Sequence, residues 1–219
     1  MKIPIKTNKW VEGVSIIILI TSFAFAFYFY ANFTDKVVSH WNFRGEPDGY
    51  MGRFGGAFAI PIMLAAMYFG LMFLPALDPK RERYADFSKP YNTLRVGLIV
   101  VMFVVYLAAS LFNLGYNVSI NYLVPFSIGT LMMLIGNMLG KIKTNWFVGI
   151  RTPWTLSSEN VWNKTHHMGG FLFVVFGFII MIVPLLSPLP GLILFIAGVV
   201  GITVGTFAYS YILYRKEKK

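Results

Sequence analysis

The residues best equipped for chemistry lie in one polar, tryptophan-rich stretch between two long apolar runs, NWFVGIRTPWTLSSENVWNKTHHMGG, from Asn145 to Gly170. Glu159 and His166 are the residue types of a general acid and base. No cysteine exists anywhere in the 219 residues, and no nucleophile or metal set accompanies the pair, so an enzymatic reading lacks its central group. The adjacent His166 and His167 point to different faces of a helix, which is a poor arrangement for one metal ion. Arg151 has the fork that grips a lipid phosphate or a carboxylate, Glu159 being one partner within reach.

The local grammar of the stretch is that of a turn followed by a helix. Pro153 forces Thr152 into an extended conformation. Thr155 or Ser157 is then placed to cap a helix whose first turn carries Glu159 against the positive end of the dipole. Along that helix Trp162 and His166 are spaced i,i+4, with Gly169 and Gly170 on the next turn. Trp146, Trp154 and Trp162 are each of the type that anchors at a membrane interface.

A second cluster of polar and aromatic residues is SHWNFRGEPDGYMGRFGG, from Ser39 to Gly56. His40, Trp41 and Asn42 suit the headgroup level, and Pro47-Asp48-Gly49 is a turn signal. An ordered loop packed on the helices and an outward recognition surface both fit this composition. His40 with Asp35, Glu46 and Asp48 has the donor types for a cation but no metal-ligand spacing.

The elements that position these clusters are membrane helices. A chain that is 57% hydrophobic and 13% charged exceeds what a soluble core of this size can hide. Apolar runs cover roughly 10–33, 55–77, 93–113, 119–139, 167–186 and 191–214, each near the length that crosses a core of about 30 Å. The first run is too long for a cleaved signal peptide and reads as an uncleaved anchor. The fold class is therefore all-α, a polytopic bundle of about six transmembrane helices. Of the 19 lysines and arginines, only Lys36, Arg44 and Arg53 fall on the side opposite the N-terminus. Positive charge collects on the cytoplasmic side, so both termini are cytoplasmic, the Asn145–Gly170 stretch faces the cytosol and the His40 loop faces out.

The net charge of +10 fits basic flanks touching anionic lipid rather than nucleic acid. The centres of the six runs carry no ionisable residue, which argues against ion-coupled transport and leaves uncoupled passage of a small solute or lipid as an alternative function. Gly136 and Gly140, and Ala197, Gly201 and Gly205, have the spacing of close helix packing. Three segments follow: 1–77 with two spans and the outer loop, 78–118 with a basic loop and the third span, and 119–219 with three spans and the cytosolic stretch.

The string Asn145, Gly149-Ile150-Arg151-Thr152-Pro153-Trp154-Thr155-Leu156, Val161-Trp162, Lys164-Thr165-His166 and Gly169-Gly170 resembles the signature of the SdpI family of bacterial multi-pass membrane proteins. His40-Trp41-Asn42, Gly45 and Pro47-Asp48-Gly49 resemble a companion domain of unknown function that precedes it. The resemblance implies a plasma-membrane immunity and signalling protein with no enzymatic activity and no cofactor or metal. Its implied partners are membrane lipids, a secreted membrane-active peptide toxin and a cytosolic transcriptional repressor, with no direct contact to nucleic acid. Two sites are implied. One is a cytosolic partner-binding motif comprising Asn145, Gly149, Arg151, Thr152, Pro153, Trp154, Thr155, Glu159, Trp162 and His166. The other is an outer recognition loop comprising His40, Trp41, Asn42, Gly45, Pro47, Asp48 and Gly49.

Overall fold

A backbone in hydrocarbon must satisfy its own hydrogen bonds, and helices do so within one segment. The computed structural model, which describes residues 4–218, follows that rule. Among those residues six helices are long and apolar enough to cross a bilayer. They are α1 (Lys9–Asn32), α2 (Arg53–Leu77), α3 (Ser88–Asn113), α4 (Ile120–Leu139), α6 (Glu159–Ile182) and α7 (Pro188–Glu217). A short helix, α5 (Pro153–Ser157), lies in the cytosolic segment, and β1 (Lys36–Trp41) pairs antiparallel with β2 (Pro47–Gly52) outside.

Two helices begin earlier than hydropathy places them. α3 starts at Ser88, since Pro90 sits in the first turn, where no N–H is needed. α6 starts at Glu159 rather than at His167, with Val161, Trp162, Thr165 and His166 buried while Asn160, Asn163 and Lys164 face out. Amphipathic turns of this kind lower a hydropathy average without ending a helix.

The outer loop is a β-hairpin, and its reversal is not at Pro47-Asp48-Gly49, which lies in β2. Asn42 makes the turn instead: its Oδ1 accepts from the Arg44 and Glu46 N–H groups at 2.8 and 3.1 Å, and Gly45 takes φ +77°. The hairpin is tied to the bundle by Asn113, whose side-chain amide exchanges both hydrogen bonds with Val38, at 2.7 and 2.9 Å. Val37 plugs into a core of Phe29, Phe33, Ala57 and Tyr106.

α4 and α6 form the closest helix pair. A Cβ on Gly129 would stand 2.6 Å from the Gly177 carbonyl oxygen, one on Gly136 2.6 Å from that of Gly170, and the reverse holds for both pairs. The backbones therefore touch at two levels, seven residues apart on each helix. This differs from the expected Gly136–Gly140 spacing, for Gly140 faces the His167 ring instead. On α7 the glycine in tight contact is Gly198, against Phe176, while Gly201 has open space around it.

At the cytoplasmic end α1, α2 and α3 meet on a buried ion pair. Arg95, with its side chain 1% exposed, donates to Glu12 at 2.9 Å and to Asn92 at 3.1 Å, and the Tyr68 hydroxyl donates to Glu12 at 2.8 Å. These charges stand near the helix starts, not at the apolar centres.

Two substitutions test this framework. Arg95→Met strands Glu12 and should cost about 3–5 kcal/mol, whereas Glu12→Gln with Arg95→Met should recover most of it. Melting of the detergent-solubilised protein, followed by size-exclusion chromatography, reads both. Gly136→Val pushes α4 off α6 and should abolish a monodisperse peak, while Gly201→Val, beside open space, should leave it intact.

Candidate functional site

The cytosolic segment is held by the buried side chains of Asn145, Thr152, Thr155 and His166, each of which meets a backbone group of the loop or of the helix beside it. Asn145, fully buried, accepts at Oδ1 from the N–H groups of Phe147 and Val148 at 2.9 and 2.6 Å. Its Nδ2 donates to the carbonyls of Lys143 and Val148, both at 2.9 Å. One amide thus folds the whole turn from Lys143 to Val148. The Tyr84 hydroxyl, from the 3₁₀ turn Arg81–Ala85, reaches Asp78 Oδ2 at 3.0 Å and Asn145 Oδ1 at 3.2 Å. Asp78 also accepts from the N–H of Trp146 at 2.9 Å, joining the two cytoplasmic loops. Burial, and then the Asp78 carboxylate, raise the Tyr84 pKa, so this hydroxyl stays protonated as a donor.

Gly149 then takes φ +118°, and a Cβ there would stand 2.4 Å from His166 Nε2. The close approach lets the N–H of Ile150 donate to that nitrogen at 2.9 Å, while Nδ1 donates to the Trp162 carbonyl at 2.8 Å. Both ring nitrogens of His166 are therefore used, and the ring is neutral with its proton on Nδ1. Trp162 stacks on it with centroids 4.0 Å apart and donates from Nε1 to the Ile142 carbonyl at 2.8 Å. Trp162 is fully buried, so it is a core pillar and not an interfacial anchor.

The next turn caps itself. Thr152, extended before Pro153, accepts at Oγ1 from the N–H of Thr155, and Thr155 Oγ1 accepts from the N–H of Thr152. This reciprocal box starts α5, and Ser158 caps α6, so the caps are Thr152 and Ser158 rather than Thr155 and Ser157. Thr152 Oγ1 also meets Ser210 Oγ at 3.0 Å, and the half-buried Trp154 packs on Phe207 and Tyr211, docking the segment on α7. Glu159 pairs with Arg83 at 2.7 Å and not with Arg151, which is exposed and donates to the Trp146 carbonyl at 2.6 Å. The acid–base pairing of Glu159 with His166 is thus not formed.

What this face offers to partners is Arg151 with the exposed Trp146, Phe147 and Pro153, beside the exposed Lys141 and Lys143. Aromatic and cationic groups together suit a headgroup layer or an acidic protein surface. Asp78, Tyr84, Arg83 and Ser210 belong to the same assembly and escaped the sequence reading. Only Asp78, a carboxylate placed where a span ends, carried any signal.

On the outer face the carboxylates are dispersed. His40 pairs with Asp48 at 2.5 Å, Asp35 with Arg53 at 2.6 Å, and Glu46 with Asn42 at 2.9 Å. Among the described residues no cluster of three or more His, Cys, Asp and Glu is poised around a metal. Gly49 lets β2 close on His40, whose Cβ would lie 2.7 Å from an added methyl. The hairpin tip leans on α4, where Asn121 Nδ2 donates to the Arg44 carbonyl at 3.1 Å and fills the space a Cβ on Gly45 would need. A cleft of about 380 Å³ opens between the tip, the start of α4 and the 3₁₀ turn Val183–Leu185.

Six membrane helices, a cytoplasmic segment locked onto α6 and α7 and an outer hairpin define a polytopic all-α membrane protein. Residues 141–210 match the SdpI/YfhL protein family, and residues 17–65 match DUF1648, a domain of unknown function. The chain is 26% identical over 207 residues to the immunity protein SdpI of Bacillus subtilis (strain 168), a similarity covering 93% of this chain and 95% of that protein. The chain is thus similar to SdpI-type proteins over both matched regions and is a multi-pass protein of a bacterial cell membrane. No solved structure matches it.

The Gly149–His166 contact gives a direct test of the lock. Gly149→Ala adds a methyl where φ is positive and His166 already stands, and should cost about 1–3 kcal/mol. Limited proteolysis of inside-out vesicles should then cut between Lys141 and Arg151, where the wild-type loop resists.

Proposed function

We propose that this chain is a non-catalytic immunity and signalling protein that protects the membrane from a secreted, membrane-active peptide and holds a transcriptional repressor at the cytoplasmic face. The observation that carries it is similarity to an immunity protein along almost the entire chain. The architecture supports it. The outer hairpin rests on the start of α4, the cytoplasmic lock rests on the start of α6, and the glycine contacts make these two helices one rigid pair. A displacement of the pair at its outer end is therefore delivered to the Trp146–Arg151 surface without an intervening flexible joint. The repressor meets that surface through Arg151, Trp146 and Phe147, and the buried members of the motif keep the surface in shape.

The test is expression in a bacterium sensitive to the family's peptide toxin, with survival and membrane potential followed after challenge. Cells carrying the wild-type chain should keep both; loss of both despite normal membrane insertion refutes immunity to that toxin. Arg151→Ala should preserve membrane abundance while reducing repressor recovered with membranes about tenfold, the loss of roughly one charge-assisted contact. Undiminished recovery removes Arg151 from the partner surface.

A further inference from the structure

We propose that the membrane-facing groove between α4 and α6 holds one anionic phospholipid of the cytoplasmic leaflet, its phosphate at Lys141 and an acyl chain along the helices. The groove, of about 500 Å³, follows the side of α4 that carries Thr130, Leu134, Asn137 and Lys141, with Phe178 and Met181 of α6 as its other wall. These four positions on α4 are spaced by three and four residues and so share one side of the helix. Ser127 and Thr130 turn their hydroxyls onto carbonyls of their own helix, both at 2.8 Å. Asn137 is exposed on the groove, and among the described residues its amide has no hydrogen-bond partner. An amide that faces lipid must take its partner from outside the chain.

Depth and charge decide what that partner is. α4 has 20 residues, about 30 Å of helix, which matches the hydrocarbon thickness. Asn137, close to its cytoplasmic end, therefore stands at the level of the glycerol esters, whose carbonyls accept from an amide. Lys141 lies one turn further out, at the level of the phosphates, and is the only charged side chain on the lining. Towards the membrane centre the lining turns apolar, and Met133 and Met181 are side chains that repack around a flexible chain. Ammonium, amide and apolar track thus follow the order of phosphate, ester and acyl chain. A second copy suits this face poorly. Two copies inserted in the same orientation hold Lys141 at the same depth, so a two-fold contact here sets ammonium against ammonium, whereas an anionic headgroup neutralises it.

The site lies in the inner leaflet and is independent of the immunity reading. The probe is dioleoylphosphatidylglycerol, titrated against the full chain in detergent and counted by native mass spectrometry, with dioleoylphosphatidylcholine as the neutral comparison. One phosphatidylglycerol should be held about tenfold more tightly than phosphatidylcholine, the worth of roughly one charge-assisted contact. Lys141→Gln should bring the two lipids level, whereas Lys89→Gln, at an exposed cytoplasmic lysine off the lining, should keep the preference. Asn137→Leu removes the ester contact and should weaken both lipids roughly 3- to 10-fold while leaving the preference in place. Lys141 and Asn137 are both exposed, so the melting temperature of either variant should stay at that of the wild type. Glycerophosphoglycerol, the headgroup without chains, should displace neither lipid. The proposal is overturned if the two lipids bind the wild type alike, if Lys89→Gln costs as much as Lys141→Gln, if Asn137→Leu changes nothing, or if the bare headgroup competes as well as the lipid. A wild-type dimer that Asn137→Leu splits overturns it equally, since the amide then belongs to a second copy.

Discussion

Four glycines bring the carbonyls of α4 and α6 within reach of the opposite Cα atoms, and the rest of the molecule depends on that approach. Hydrocarbon gives helices no reason to associate through apolar area alone, so close van der Waals contact of backbones has to supply it. At Gly129–Gly177 and Gly136–Gly170 no side chain stands between the two helices, and even a methyl would sit 2.6 Å from an oxygen. This pairing sets α6 beside α4 at the level of Gly170, one turn from His166. The cytoplasmic loop that leaves α4 at Gly140 must therefore return to α6 within reach of His166.

The loop meets that requirement with side chains in place of secondary structure. Asn145, His166, Thr152 and Thr155 each stand in for the backbone partner that a helix or sheet would provide, and all four are buried. The same residues that make the motif recognisable are thus the ones least available to a partner. Arg151, Trp146 and Phe147, carried on the outside of the folded loop, are the accessible remainder. A motif of this kind combines two demands, one for shape and one for contact, and the shape accounts for most of its length.

The six spans and their orientation were legible because hydropathy and the distribution of Lys and Arg are long-range averages that need no geometry. The starts of α3 and α6 were not, since their first turns are amphipathic and dilute the average. The hairpin was hidden by a competing signal: Pro47-Asp48-Gly49 has strong turn chemistry, yet the Asn42 side chain, linked to two N–H groups, takes the reversal. Trp162 was misplaced for a related reason. A tryptophan near a membrane boundary is usually interfacial, and nothing local reveals that its indole meets the Ile142 carbonyl or stacks on His166. The segment Thr152–Thr155 was readable as a turn and helix start, but which hydroxyl caps which N–H depends on three-dimensional closure.

α7 is 30 residues long, or about 45 Å, against a hydrocarbon core of about 30 Å. Its cytoplasmic end is fastened to the start of α6, where Ser158 donates to Glu217 at 2.7 Å and Asn160 donates to the same carboxylate. A helix longer than its bilayer tilts, and the tilt grows as the bilayer thins. With its tip tethered, α7 cannot lean without pulling on Ser158, the cap of α6, or letting go of it. The tether therefore couples the inclination of α7 to the capped start of α6.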